Sequence, residues 1–172
     1  KMSEGINTVT KNSSFQFLPA GGYLFTTTGS HQFTIPPLVT SVSVVVIGAG
    51  GNHDSDAYQG TPAGGGGLAW KNQQTVTPGS VVTVEVGSGA PTTTGISGSS
   101  YFISAAHVWA RGGYGATNNS SGGTYKVDNI QGPTAGGLIS GTTGGGGNGG
   151  SGSGSDPYGN PRGGGAAGYS GN

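Results

Sequence analysis

Before residue 110, β-branched and aromatic residues recur in short runs, alternating with polar residues or continuous, and each run is bounded by turn-forming residues. Such runs are the pattern of strands, and no stretch carries a helical period. They predict strands over Ser14–Leu18, Tyr23–Thr27, His31–Ile35, Ser41–Ile47, Leu68–Thr77, Ser80–Val86 and Tyr101–Trp109. Gly21-Gly22, Pro36-Pro37 and Thr77-Pro78-Gly79-Ser80 supply the φ preferences of tight turns. The last of these predicts a hairpin whose arms are Gln73–Thr77 and Ser80–Val86. In its second arm Val82, Val84 and Val86 alternate with Val81, Thr83 and Glu85, and the carboxylate puts the odd-numbered face in water. The expected fold class is all-β, an antiparallel β-sandwich of jelly-roll type.

From Gly112 onward the pattern changes to Gly, Ser, Thr and Asn, and 40 of the 172 residues are Gly. The blocks Gly64–Gly67, Gly112–Gly115, Gly144–Gly150 and Gly163–Gly168 admit two readings. One is flexible linker. The other is a layer of extended, three-residue-per-turn helices of the polyglycine II kind, in which missing side chains let backbones approach and bond to one another. Tyr114, Tyr125, Tyr158 and Tyr169 are interleaved with these glycines, which favours order. Ordering Gly costs more entropy than ordering any other residue, so such a layer needs a sheet or another subunit beside it. The expected organisation is an attachment segment over residues 1–24, a strand-rich part over 25–110 and a Gly-rich part of the same domain over 111–172.

Charge narrows the partners. Six cationic and six anionic side chains give a formal net charge of zero. No basic stripe exists to neutralise phosphates or to dock on anionic lipid, so nucleic acid is not an expected partner. The longest apolar run, Val44–Ile47, is too short to span a bilayer, and membrane insertion is not expected. With no cysteine, disulfides, Cys-zinc sites and thiol nucleophiles are absent. A start at Lys1 is compatible with a processed precursor, a tag remnant or an excised fragment.

Val44-Val45-Val46-Ile47-Gly48-Ala49-Gly50-Gly51 has the outline of a strand entering a dinucleotide-binding loop. The third glycine would fall on His53, however, and Trp70 stands where an acidic residue is needed. A buried strand ending in a glycine turn is the reading that fits, and no cofactor is expected. Asn52-His53-Asp54-Ser55-Asp56 matches no closed metal site, since Ala57 occupies the place a calcium loop gives to Gly. His31, His53 and His107 stand in no hydrolase or paired-carboxylate pattern. No catalytic or metal residue is expected.

Loop aromatics are the better lead, because a sugar ring stacks on a Tyr or Trp face while Asn, Asp and Ser bond its hydroxyls. The candidates are His53, Asp54, Asp56 and Tyr58 in one loop, Tyr114, Asn118 and Asn119 in a second, and Asp156, Tyr158, Asn160 and Arg162 in a third. Trp70, Tyr101 and Trp109 lie in strand-like runs and are expected in the core.

The succession Phe33–Gly51 (FTIPPLVTSVSVVVIGAGG), Gly64–Trp70 (GGGGLAW) and Thr75–Ala90 (TVTPGSVVTVEVGSGA), followed by Gly-rich tails, resembles the glycine-rich domain of tailed-phage structural proteins, of the tail-fibre and tip-adhesin type. The resemblance covers residues 25 to 172. It implies a non-enzymatic virion structural protein whose glycine helices resemble polyglycine II and whose distal loops bind a host-surface glycan or outer-membrane protein. It also implies location in the virion tail or outside the cell, and other structural subunits as neighbours. Residues 1–24 lie outside it, and Phe15, Phe17 and Leu18 are the expected assembly residues of a strand added to a neighbour's sheet edge. The competing expectation is a microbial extracellular filament polymerising through that strand. Ice binding through Thr26–Thr28 and Thr92–Thr94 lacks the fixed period it would need.

Overall fold

A computed structural model of the chain describes residues 15–18, 21–52, 63–89, 96–115, 121–133, 136–152 and 164. The described residues contain strands and no helix. In chain order the strands are β1 (Phe15–Leu18), β2 (Gly22–Phe25), β3 (Gly29–Thr34), β4 (Ser41–Ile47), β5 (Leu68–Thr75) and β6 (Val81–Val86). Then come β7 (Ser100–Phe102), β8 (Val108–Ala110), β9 (Tyr125–Val127), β10 (Ile130–Gln131), β11 (Gly137–Leu138) and β12 (Gly144–Gly147). They form a six-stranded sheet in the order β10-β9-β8-β7-β6-β3, a four-stranded sheet in the order β11-β12-β5-β4, and a separate pair β1-β2. Every pairing is antiparallel.

The two larger sheets face each other, β4, β5 and β12 against β7, β8 and β9, so the all-β sandwich expected from the sequence is the observed architecture. Between them lie Ile35, Val46, Ala69, Val84, Phe102, Val108, Ala110, Tyr125 and Val127, all buried. Period-two alternation accounts for the arrangement, with Val84, Phe102, Val108, Tyr125 and Val127 turned inward from the six-stranded sheet. Glu85 lies on the opposite face, as its charge requires. Lys71 of β5 reaches Asp128 at the β9–β10 turn across 2.6 Å, an ion pair joining the two sheets at one end.

Three expectations are corrected. Thr77–Ser80 does form a turn, with Gly79 at φ 75° and Ser80 N–H donating to Thr77 O at 3.1 Å. Its arms do not pair, however: β5 lies in one sheet and β6 in the other, so the turn is a corner between layers instead of a hairpin. Tyr101–Trp109 is two strands. Ile103 at φ 68° leaves the extended region, His107 N–H donates to Ser104 O, and the chain reverses so that Tyr101 pairs with Trp109. The Gly-rich part also carries unexpected strands, among them the β9–β10 hairpin, whose Asp128 and Asn129 have φ 50° and 61°, as a type I′ turn demands.

Beside the sandwich the glycine segments bond to one another through their backbones. Gly64 and Gly67 donate to Tyr114 O and Arg111 O, both at 2.9 Å, while Gly48 and Gly51 donate to Gly67 O and Gly64 O at 2.9 and 2.8 Å. Arg111 and Tyr114 in turn donate to Thr124 O and Ser121 O at 2.8 and 3.0 Å. Each segment thus returns to the same neighbour every third residue. Residues in between reach other neighbours: Gly65 donates to Gly150 O, Gly123 to Gly65 O and Gly113 to Ala49 O. A pleated strand has side chains on two faces and neighbours on two edges. The three-residue repeat gives the segment 63–67 neighbours on more sides than that. Such approach requires bare Cα atoms. A Cβ at Gly66 would fall on Gly48 O, one at Gly64 on Ser121 O, and one at Gly123 on Arg111 O.

Candidate binding surface

Of the loop residues expected to contact a ligand, Tyr114 lies within the described residues. His53, Asp54, Asp56, Tyr58, Asn118, Asn119, Asp156, Tyr158, Asn160 and Arg162 lie outside them. Tyr114 is half-buried, its ring carries the Arg111 guanidinium at 4.4 Å from the centroid, and its hydroxyl accepts a hydrogen bond from Arg111 Nη2. That face of the ring is therefore covered by the protein's own cation.

The described ends of the intervening connections converge. Gly51 donates to Gly64 O, Gly64 to Tyr114 O and Tyr114 to Ser121 O, while Gly65 donates to Gly150 O and Gly164 to Ala63 O. The connections 53–62, 116–120 and 153–163, which hold the loop candidates, are anchored in one patch of the glycine layer. Ile96, which bridges to Tyr114, brings the end of a fourth, 90–95, to the same patch.

For the assembly residues Phe15, Phe17 and Leu18, the backbone of β1 pairs with β2 of the same chain, Phe15 opposite Phe25 and Leu18 opposite Gly22. The hairpin meets the sandwich through rings of β2 and β3, with Tyr23 and Phe25 at 4.8 and 5.8 Å from Phe33 and Phe25 at 5.6 Å from His31.

A second surface was not foreseen. Of the three aromatics expected in the core, Trp70 is buried, whereas Tyr101 and Trp109 are half-buried on the outer face of the six-stranded sheet. Register aligns them in a row across all six strands: Ser30 opposite Glu85, Glu85 opposite Tyr101, Tyr101 opposite Trp109, Trp109 opposite Lys126, and Lys126 opposite Gln131. Lys126 Nζ sits 5.5 Å from the Trp109 ring centroid, within cation–π range. At the Glu85 end a cleft of about 360 Å³ is lined by Thr28, Glu85, Ser88, Ser99 and backbone glycines. The signal in the sequence was parity. Tyr101, Trp109 and Lys126 each stand between two inward residues, in Ser100-Tyr101-Phe102, Val108-Trp109-Ala110 and Tyr125-Lys126-Val127.

The titratable groups near the sandwich serve local structure. His31 Nε2 lies 2.7 Å from Thr27 O, and His107 Nδ1 lies 2.9 Å from Ser104 Oγ at the β7–β8 turn. Burial pushes the Tyr125 phenol up from its ordinary value. Among the described residues no group of three or more His, Cys, Asp or Glu is placed to hold a metal ion.

Compared with known protein families, residues 26–172 match the glycine-rich domain. Neither the curated proteins nor the solved structures include a match.

Proposed function

We propose that the chain, which belongs over residues 26–172 to the glycine-rich domain family, is a non-enzymatic structural module of a virion tail, at a tail fibre or tail tip, that contacts a host surface. The observation that supports this reading most is the convergence of loop anchors. Connections holding His53, Asp54, Asp56, Tyr58, Asn118, Asn119, Asp156, Tyr158, Asn160 and Arg162 leave from one patch of a backbone lattice in which every third residue bonds the same neighbour. Polyglycine-II-type helices in that lattice are part of the proposal. A layer held by backbone bonds does not depend on what its loops carry, so the loops are free to vary with the receptor, a host-surface glycan or outer-membrane protein.

The test is electron microscopy of intact particles labelled with an antibody against the protein, beside the free protein. Label at the fibres or the tail tip is the expected result. Label elsewhere on the particle, or none, removes the virion assignment. A second reading, an extracellular filament subunit, rests on β1 and β2 forming a sheet of their own: exchange of β1 between copies would leave both larger sheets intact. Long filaments grown by the free protein, lost on deletion of residues 1–18, would favour it.

A further inference from the structure

We propose that the outer row Glu85–Tyr101–Trp109–Lys126 is a binding platform for an oligosaccharide bearing a carboxylate, a site separate from the loops and independent of whether the protein is a virion part. The four residues stand on adjacent strands β6, β7, β8 and β9. At the usual strand spacing the row is about 14 Å long, with the two aromatic residues side by side at its centre.

Three features give the row the character of a recognition surface. Its backbone is fixed from behind, since Val84, Phe102, Val108, Ala110, Tyr125 and Val127 are all buried in the sandwich core. The platform therefore needs no ordering on binding. Its aromatic pair, half-buried and opposite each other in register, offers ring surface of the kind on which the C–H face of a pyranose packs. Its charges have no ionic partner: among the described residues neither the Glu85 carboxylate nor the Lys126 ammonium makes an ion pair or a hydrogen bond, the ammonium meeting only the Trp109 ring, in contrast to Lys71 and Asp128.

The placement of these charges selects the occupant. Lys126 Nζ lies over the Trp109 ring, so a sugar that stacks there displaces the ammonium to its own rim, where a carboxylate on that rim meets it. Glu85, at the far end, accepts hydroxyl hydrogen bonds together with Ser88, Ser99 and Thr28 in the cleft. Three strand spacings, about 14 Å of backbone, separate Glu85 from Lys126, so at a physiological Debye length of about 8 Å Glu85 repels a carboxylate held at Lys126 only weakly. One half-buried lysine on a neutral chain does not make a nucleic-acid site.

The experiment uses the full chain and the fluorescence of its two tryptophans, Trp70 being buried and Trp109 half-buried. The probes are tetragalacturonate, tri-sialic acid and a hyaluronan hexasaccharide, each beside its carboxyl-reduced counterpart. At least one acid is expected to shift the emission saturably and to bind more tightly than its reduced form. Trp109→Ala weakens that binding by about tenfold or more, as loss of an aromatic anchor does. Lys126→Gln abolishes the preference for the acid, bringing its affinity to that of the reduced sugar. Trp109→Phe, which keeps a ring and hence the packing, retains part of the affinity, read by calorimetry. The proposal is overturned if no acid binds, if Lys126→Gln preserves the preference, or if Trp109→Ala, in a protein that still unfolds cooperatively, binds the acid as tightly as the parent does by calorimetry. None of these results bears on where antibody labels a particle.

Discussion

Between the two sheets Ile35, Val108 and Val127 are completely buried, and in the glycine layer Gly64 to Gly67 are buried as well, yet the two regions exclude water by opposite means. In the sandwich, side chains fill the space and the stabilisation scales with apolar area. In the layer, backbones fill it, and what is secured is the hydrogen bonding of amides that would otherwise be buried without partners. Removing atoms therefore harms the first region, and adding atoms harms the second.

Tyr125 joins the two regimes and carries the largest expected effect. Its ring, completely buried, occupies the space where side chains at Gly132 and Gly146 would stand. Tyr125→Ala would open a cavity walled on two sides by backbone that has no side chain to collapse inward. A loss of about 3 to 5 kcal/mol is expected, measured by chemical denaturation. Next is Gly66→Ala. Its new Cβ would meet Gly48 O and Ala49 O, both backbone, so the neighbours cannot rotate away. The cost should lie at the upper end of the overpacking range, about 3 kcal/mol, well above any gain from a stiffer unfolded chain. A Gly66→Ala protein as stable as the parent would mean that the lattice is looser than its hydrogen bonds imply.

Alkaline pH sharpens the comparison further. Burial raises the Tyr125 pKa, so the folded state holds the phenol proton more tightly than the unfolded state does. The corresponding stability is fully present below the unfolded value of about 10 and is lost as pH rises from there through the folded value. Tyr125→Phe should flatten that part of the stability profile above pH 10, and an unchanged profile would show that other groups govern it.

The strand-rich part of the fold was legible because alternation reports which face is buried. Residues 41–47 form a strand with the expected bounds, and Glu85 correctly marked the wet face of β6. Pairing was less legible: Pro78-Gly79 specifies a turn, but not whether the strands it joins lie in one sheet. The glycine part was least legible, since a residue without a side chain carries no hydrophobic pattern. β12 is four glycines, recognisable as a strand only through its partner, with Gly145 opposite Trp70. At the candidate surface, one strand-like run over Tyr101–Trp109 puts both aromatics in the expected core, whereas the structure leaves them half-buried on the outer face. Splitting their run into two three-residue strands, each with the aromatic between inward neighbours, would have turned them to solvent.

Smaller effects separate space from conformation. Gly79 has φ 75° and open space around its Cα, so Gly79→Ala should cost about 1 kcal/mol from backbone strain alone.

Gly50 has neither constraint: it is exposed, its φ lies outside the left-handed region, and no atom stands within 4 Å of a Cβ built there. Its carbonyl accepts the Ser97 hydroxyl at 2.6 Å, a bond that a side chain leaves untouched. Gly50→Ala should therefore change stability by no more than about 0.5 kcal/mol. Gly51, its neighbour, would put a Cβ on Tyr114 O, so Gly51→Ala should resemble Gly66→Ala instead. The contrast between adjacent residues removes composition, propensity and exposure of the segment as explanations and leaves the direction of the Cα hydrogen. Equal effects at 50 and 51 in parallel thermal melts would show that this segment does not pack against 111–114 through bare backbone.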